Sequence, residues 1–122
     1  MTRINVGYPV EKLSRLHLIA EHREIKRIPN AITSGKAKIE NIPESFRLGA
    51  GHVKFFYNKC GYLLKRYKKL YKECKKRNYN VQDYSSCWDG IPKDLMGDYN
   101  PTNGDANLIT QRIKEKSIQR VN

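Results

Sequence analysis

The sequence predicts an all-α fold, a compact single domain over residues 1–122 in which three helices are joined by long ordered loops. Three observations predict it. Apolar residues recur at steps of three and four along one long stretch, as they do on one face of a helix. No segment alternates polar and apolar residues well enough to indicate a strand. Glycine and proline cluster in two stretches between the periodic segments, where loops are expected.

The first predicted helix covers about residues 10–28 and follows an N-terminal arm at residues 1–9. Pro9 is suited to the first turn of a helix, and Pro29 is expected to end this one, since proline lacks the N–H that a continuing helix requires. An irregular crossover rich in glycine and proline follows.

The second predicted helix, at about residues 53–77, has the strongest periodicity. Its apolar face consists of Val53, Phe56, Tyr57, Cys60, Leu63, Leu64, Tyr67, Leu70, Tyr71 and Cys74. Its opposite face carries Lys54, Lys65, Lys68, Lys69, Lys72, Lys75 and Lys76. Either solvation or DNA contact would account for this basic face, and the pattern alone leaves both interpretations open.

The third predicted helix, at about residues 105–120, begins after a second irregular stretch. An Asn103-Gly104 pair is expected to cap it.

The charge balance indicates a polyanionic partner. Lys and Arg number 24 against 12 Asp and Glu, a formal charge of +12. The apolar runs fall far short of the ~20 residues that a membrane span needs, and the N-terminus lacks a signal-peptide pattern, so we expect a cytoplasmic protein. Cys60, Cys74 and Cys87 lack Cys-x-x-Cys spacing, which argues for reduced thiols and against a zinc finger or disulfide scaffold.

One stripe of the first predicted helix could carry chemistry. It has 4-3-4 spacing and consists of His17, Glu21, Glu24 and Ile28. An imidazole beside two carboxylates is either a general acid/base site or a neutralised polar patch. His52 and Trp88 are interpreted as structural residues.

Two pairs of cations at i, i+4 spacing could grip DNA phosphates: Arg23 with Arg27, and Arg112 with Lys116. The alternative for each pair is ion pairing with a glutamate on the same helix.

Several separate blocks of sequence carry a family resemblance. They are Met-Thr-Arg-Ile-Asn at 1–5, His-Leu-Ile-Ala-Glu-His-Arg-Glu at 17–24, Leu-Gly-Ala-Gly-His-Val-Lys-Phe-Phe-Tyr at 48–57, Ile-Pro at 91–92 and Gly-Asp-Tyr at 97–99. Together they resemble the phage-type pyrimidine-dimer DNA glycosylases, the UV-repair endonuclease V family, over about residues 1–120. The resemblance implies a compact all-α fold of three helices.

The resemblance also implies an enzyme that is both a DNA glycosylase and an abasic-site lyase, acting on damaged double-stranded DNA without a metal or a cofactor. We also expect a monomer that does not bind a membrane. Its implied nucleophile is the α-amino group of Thr2, exposed when Met1 is removed. An α-amine has a pKa of about 7.7–8.0, so a useful fraction is neutral near pH 7. Neighbouring arginines are expected to lower that pKa further.

The remaining site residues also follow from the resemblance. Glu24 matches the family's essential carboxylate, which would stabilise an oxocarbenium-like cation and then take the C2′ proton. His17 and Glu21 are assigned supporting roles. The phosphate-binding positions would be Arg3, Arg23, Arg27, Arg112 and Lys116.

The sequence does not decide which DNA lesion the protein recognises. The family has an aromatic C-terminal segment associated with recognising the dimer, whereas no aromatic residue follows Tyr99 here. Cyclobutane dimers are therefore the first expectation, and abasic sites or another damaged base the second. A non-catalytic DNA-binding module is the third, although binding alone gives no use for a carboxylate facing DNA.

Overall fold

The computed structural model of the chain describes residues 2–121, and the side chains of residues 2–115. Its α-helices are α1 (Arg15–Glu24), α2 (Arg27–Thr33), α3 (His52–Phe55), α4 (Cys60–Lys76) and α5 (Asn103–Val121). Short 3₁₀ turns lie at Val10–Lys12, Ser85–Trp88 and Lys93–Leu95. Residues 2–121 contain no strand, only an isolated antiparallel bridge between Lys59 and Met96. The all-α prediction is confirmed.

The predicted first helix at 10–28 is wrong in its continuity. α1 begins only after Ser14, whose hydroxyl caps it by accepting a 3.3 Å hydrogen bond from the His17 N–H. α1 ends at Glu24, and α2 starts at Arg27 after a turn. Pro29 does not end a helix but lies in the first turn of α2, where its missing N–H leaves no helical hydrogen bond unmade.

The predicted second helix is also divided, into α3 and α4. The chain turns between Phe55 and Cys60 and pairs there with the loop around Met96. At Gly61 this approach is so close that a Cβ would lie 2.6 Å from the Met96 carbonyl oxygen. Only glycine fits at that point. The apolar periodicity continues across residues 56–59 and therefore does not reveal the break between α3 and α4.

The third helix is two residues longer at its start than predicted. Asn103 is the first helical residue rather than part of the cap. The cap is Thr102, whose hydroxyl accepts from the Asp105 N–H at 3.1 Å while the Asp105 carboxylate accepts from the Thr102 N–H at 3.2 Å. This reciprocal pair closes the first turn of α5.

The core gathers around α1 and α4, which pack directly against each other. The N-terminal arm belongs to this core, because Ile4 and Val6 are fully buried. Gly7 lies so close to α5 that a Cβ there would be 2.8 Å from the Ala106 Cβ. The arm is therefore held between α1 and α5, and it brings the first residues of the chain to a fixed place.

No helix among residues 2–121 is both long enough and apolar enough to cross a membrane.

Candidate active site

A small cavity of about 150 Å³ lies where the arm, α1 and α5 meet. Its lining residues are Arg3, Asn5, His17, Ala20, Glu21, Glu24 and Ile113. The structure thus brings together Arg3, His17, Glu21 and Glu24 of the predicted site. Ile28 does not belong to this stripe, because it lies in α2 and is fully buried in the core.

Glu24 is the carboxylate with arginines beside it. Its oxygens lie 3.5 Å from an Arg23 guanidinium nitrogen and 4.0 Å from one of Arg27. The glutamate side chain is 15% exposed, whereas both arginines are more than half exposed. Such long, solvated ion pairs contribute little stability, so both guanidiniums can turn towards a phosphate while Glu24 faces the cavity.

The predicted pairing of Arg23 and Arg27 along one helix face is corrected by the break at residues 25–26. Arg23 lies in the last turn of α1, and Arg27 is the first residue of α2. They nevertheless converge, because Glu24 contacts both. Arg23 and Arg27 are neighbours because of the turn between α1 and α2, and not because they lie four residues apart on one helix.

Arg3 and Arg112 add further positive charge, Arg3 in the cavity lining and Arg112 close enough to act on Arg3. Burial and the nearby Arg112 lower the pKa of the Arg3 guanidinium, and Glu24 partly opposes this. Arg112 also pairs with Glu115 at 3.7 Å, with both side chains about half exposed. The side chain of Lys116, the partner of Arg112 in the predicted pair, lies outside the described residues.

Thr2 is half-buried and directly precedes Arg3, which lines the cavity. His17 also lines the cavity, and its Nδ1 forms a 2.9 Å hydrogen bond with the Ser14 hydroxyl. Thr2, whose amine is the predicted nucleophile, is therefore adjacent in sequence to a residue of the cavity lining. The same lining contains the predicted carboxylate, Glu24, and the predicted histidine, His17.

Glu21, to which the resemblance assigns a supporting role, holds the arm and α4 together. It is buried and forms a double ion pair with Arg66 of α4, with N–O distances of 2.5 and 3.0 Å. Its oxygens also accept hydrogen bonds from Asn5, through the side-chain amide at 2.8 Å and the backbone N–H at 3.4 Å. Burial alone would lower the pKa of Arg66, but the Glu21 carboxylate more than offsets this and raises it. Glu21 thereby ties the arm to α1 and α4.

Sequence reasoning overlooked Arg66 and Asn5. One signal was available for Arg66: it is a cation on the otherwise apolar stripe that Leu63, Tyr67 and Leu70 form on α4. A charge at a core position of an amphipathic helix indicates a buried partner. No comparable signal identified Asn5.

His52 anchors the arm from the other side. Its Nε2 accepts a 2.9 Å hydrogen bond from the Ile4 N–H, and its Nδ1 lies 2.8 Å from the Arg47 carbonyl oxygen. A ring that accepts at Nε2 and donates at Nδ1 is neutral. Burial lowers the pKa of His52, partly opposed by the Arg47 carbonyl, while Arg3 lowers it further and Glu21 raises it.

We expect acid to destabilise the protein through His52. The unfolded histidine, with a pKa of about 6.5, takes up a proton before the folded one does, so stability is present above that pH and is lost as pH falls towards the lower folded pKa. Urea unfolding at pH 7.5 and pH 5.5 measures this loss. His52→Gln keeps an acceptor for Ile4 but does not titrate, so its stability should depend less on pH.

The control for that measurement is the other buried histidine. Burial lowers the pKa of His22 as well, so its contribution should remain in His52→Gln and leave a reduced slope rather than none. An identical loss of stability in the parent and in His52→Gln would contradict the assignment.

Among the described residues, no group of three or more histidines, cysteines, aspartates and glutamates could hold a metal ion. All three cysteines are free thiols, with Cys60 and Cys74 buried.

The chain was compared with models of known protein families. The model described as pyrimidine dimer DNA glycosylase matches residues 1–85, which include the arm, α1 to α4 and every lining residue of the cavity except Ile113. Arg112 and Lys116 lie beyond the matched segment. The match covers well over half of the 122 residues. With its all-α fold, and with Arg3 and Glu24 at one cavity, this chain belongs to the pyrimidine dimer DNA glycosylase family.

Proposed function

We propose that the chain excises cyclobutane pyrimidine dimers from double-stranded DNA through an imine on the Thr2 amine, and then cuts the strand by β-elimination. The observation that carries the proposal is the cavity at which Arg3, His17 and Glu24 converge beside Thr2. An α-amine next to several guanidiniums is a good nucleophile near neutral pH, because like charges disfavour its ammonium form.

The glycosylase step joins the amine to the sugar. The nitrogen of Thr2 attacks C1′ of the damaged nucleotide and the bond from C1′ to the base breaks. The base takes up one amine proton and stays joined to the neighbouring pyrimidine through the cyclobutane ring. The sugar ring then opens at the bond from C1′ to O4′, the second amine proton passes to O4′, and an imine is left. Glu24 stabilises the positive charge that develops on the sugar, since a fixed carboxylate acts strongly in a site shielded from water.

The lyase step removes the 3′ phosphate. Glu24 takes the proton from C2′, the electron pair forms a double bond between C2′ and C3′, and the bond from C3′ to the phosphate oxygen breaks. Water then hydrolyses the imine and regenerates the Thr2 amine. Both steps use the same carboxylate, first as an electrostatic stabiliser and then as a base.

The arginines around the cavity suit the phosphates that flank the lesion. Arg23 and Arg27 are more than half exposed and Arg112 is 46% exposed, so their N–H donors are accessible. Guanidinium groups bind phosphates through paired hydrogen bonds and neutralise their charge. They would hold the damaged strand across the cavity and Glu24. Lys116 is proposed to extend this set on α5.

Borohydride trapping tests the mechanism directly. The protein is incubated with duplexes that carry a cyclobutane dimer, an abasic site or no lesion, and borohydride is added to reduce any imine to a stable protein–DNA adduct. We expect adducts with the dimer and the abasic duplex and none with the undamaged one. An adduct with the abasic duplex alone would indicate a lyase without dimer glycosylase activity. Strand cleavage with no adduct on any duplex would overturn the imine.

The N-terminus provides a second test. Thr2 is small enough for removal of Met1 by methionine aminopeptidase, and only the processed chain should be active. Intact-mass analysis of trapped adducts should show Thr2 as the first residue, and peptide mapping should place the DNA on it. Full activity in a preparation that retains Met1 on every molecule would exclude the Thr2 amine as nucleophile.

A further inference from the structure

The solvent face of α4 carries a ridge of five exposed lysines, hereafter the lysine ridge: Lys68, Lys69, Lys72, Lys75 and Lys76. None of the five forms an ion pair with any side chain in residues 2–115. The single acid of α4, Glu73, is taken by Arg77 at 2.7 Å. The ridge is therefore a block of like charge without compensation, and its self-repulsion disfavours the folded state unless a polyanion binds.

The lysine ridge faces away from the candidate active site. The lysines follow one another at steps of one and three residues, with Lys68, Lys72 and Lys76 four residues apart, which places them on one side of the helix. The buried residues of α4 occupy the opposite side, where Arg66 reaches Glu21 of α1. Glu21 in turn lines the cavity. The body of α4 and its contact with α1 thus separate the ridge from the cavity.

The chemistry of the ridge favours duplex DNA as its occupant. The eight helical steps from Lys68 to Lys76 extend about 12 Å. A duplex carries one charge per ~1.7 Å of its axis, so it offers several phosphates to five lysines over that length. A membrane-surface helix would need apolar side chains to insert, and the exposed large hydrophobic residues of the described chain, Leu16, Ile39 and Leu108, all lie outside α4. Protein interfaces are depleted in lysine.

We propose that the lysine ridge binds a second DNA duplex while the first occupies the candidate active site. The two duplexes would lie on different sides of the protein, and the enzyme could pass directly from one DNA segment to another without first dissociating into solution. The inference rests on the proposed function only in that DNA occupies the cavity side. It does not depend on the imine, on Glu24 or on the lesion.

Dissociation kinetics test the second site with the whole protein and undamaged DNA, so no cleavage enters the measurement. A fluorescent short duplex is bound to the protein, and its release is followed while unlabelled duplex is increased. With a single site the release rate does not depend on the competitor. We expect the release rate to rise with competitor concentration. This rise should become smaller as salt increases, because salt weakens binding of the second duplex. Up to five lysine contacts give that binding a slope of log affinity against log salt of about −4 to −5.

The informative variant is Lys68→Gln, Lys72→Gln, Lys75→Gln, which removes three ridge charges from exposed positions. Its release rate should become nearly independent of competitor, and the salt slope of the second binding should fall by about three. Its affinity for the first duplex should match that of the parent. The control, Lys12→Gln, Lys38→Gln, Lys93→Gln, removes three exposed lysines outside α4 and should keep the competitor dependence.

Three outcomes would overturn the proposal. The first is a parent release rate that does not depend on competitor, and the second is a ridge variant with the same dependence as the parent. The third is a loss of affinity for the first duplex in the ridge variant, because the lysines would then contact the DNA already bound at the cavity. Duplex RNA as competitor adds a further distinction: stronger acceleration by RNA than by DNA would assign the ridge to RNA instead. Failure of borohydride trapping would leave all these results unchanged.

Discussion

Glu24→Gln is expected to abolish cleavage of the glycosidic bond and of the strand while DNA binding survives. The substitution keeps the size of the side chain and an oxygen that can accept a hydrogen bond from Arg23, but it removes the negative charge and the base. Both proposed steps require the carboxylate. The rate of each should fall by at least the ~10²–10³ that follows the loss of one well-placed electrostatic group. Affinity for DNA should be equal or higher, because a repulsion with phosphate disappears.

Single-turnover cleavage of dimer duplex and a binding titration with the same duplex measure the two effects separately. Glu115→Gln is the matched control, because it also removes one carboxylate paired with an arginine of the site, but at an exposed position on α5. Its cleavage rate should stay close to that of the parent. Cleavage by Glu24→Gln at near the parental rate would show that the proposed mechanism is wrong.

Arg66→Met is expected to cause the largest loss of stability. It leaves the Glu21 carboxylate buried without its cationic partner, and breaking a buried pair in this way costs about 3–5 kcal/mol. For a chain of this size the melting temperature should fall by roughly 10 °C or more. Because Glu21 also holds Asn5, the arm that carries Thr2 should loosen before the rest of the fold.

The double variant Glu21→Gln, Arg66→Met provides the comparison. It removes both charges, fills the site with side chains of similar volume, and leaves an amide oxygen for Asn5. Its melting temperature should lie well above that of Arg66→Met, because no unpaired charge is left in the core. Equal melting temperatures for the single and double variants would mean that the ion pair itself, rather than the isolated charge, determines the loss.

The sequence by itself determined the fold class and most of the cavity. The three- and four-residue periodicity predicted the apolar face of α4, where Cys60, Leu63, Tyr67, Leu70 and Cys74 are all buried. Periodicity is a local property, because helical hydrogen bonds join residues only four apart. The spacing of His17, Glu21 and Glu24 lies within α1, so it likewise placed these side chains on one face correctly.

The tertiary structure decided where helices break and what each polar residue contacts. The interruption at residues 56–59 lies beside Gly61, where a loop more than thirty residues further along the chain, around Met96, comes close, and no local pattern records that approach. Glu21 meets Arg66 across 45 residues, and Ile4 meets His52 across 48. Pairings at such separations depend on how α1, α4 and the arm pack. Sequence spacing could therefore put Glu21 and Glu24 on one stripe, but only packing made Glu21 a buried anchor and left Glu24 at the cavity.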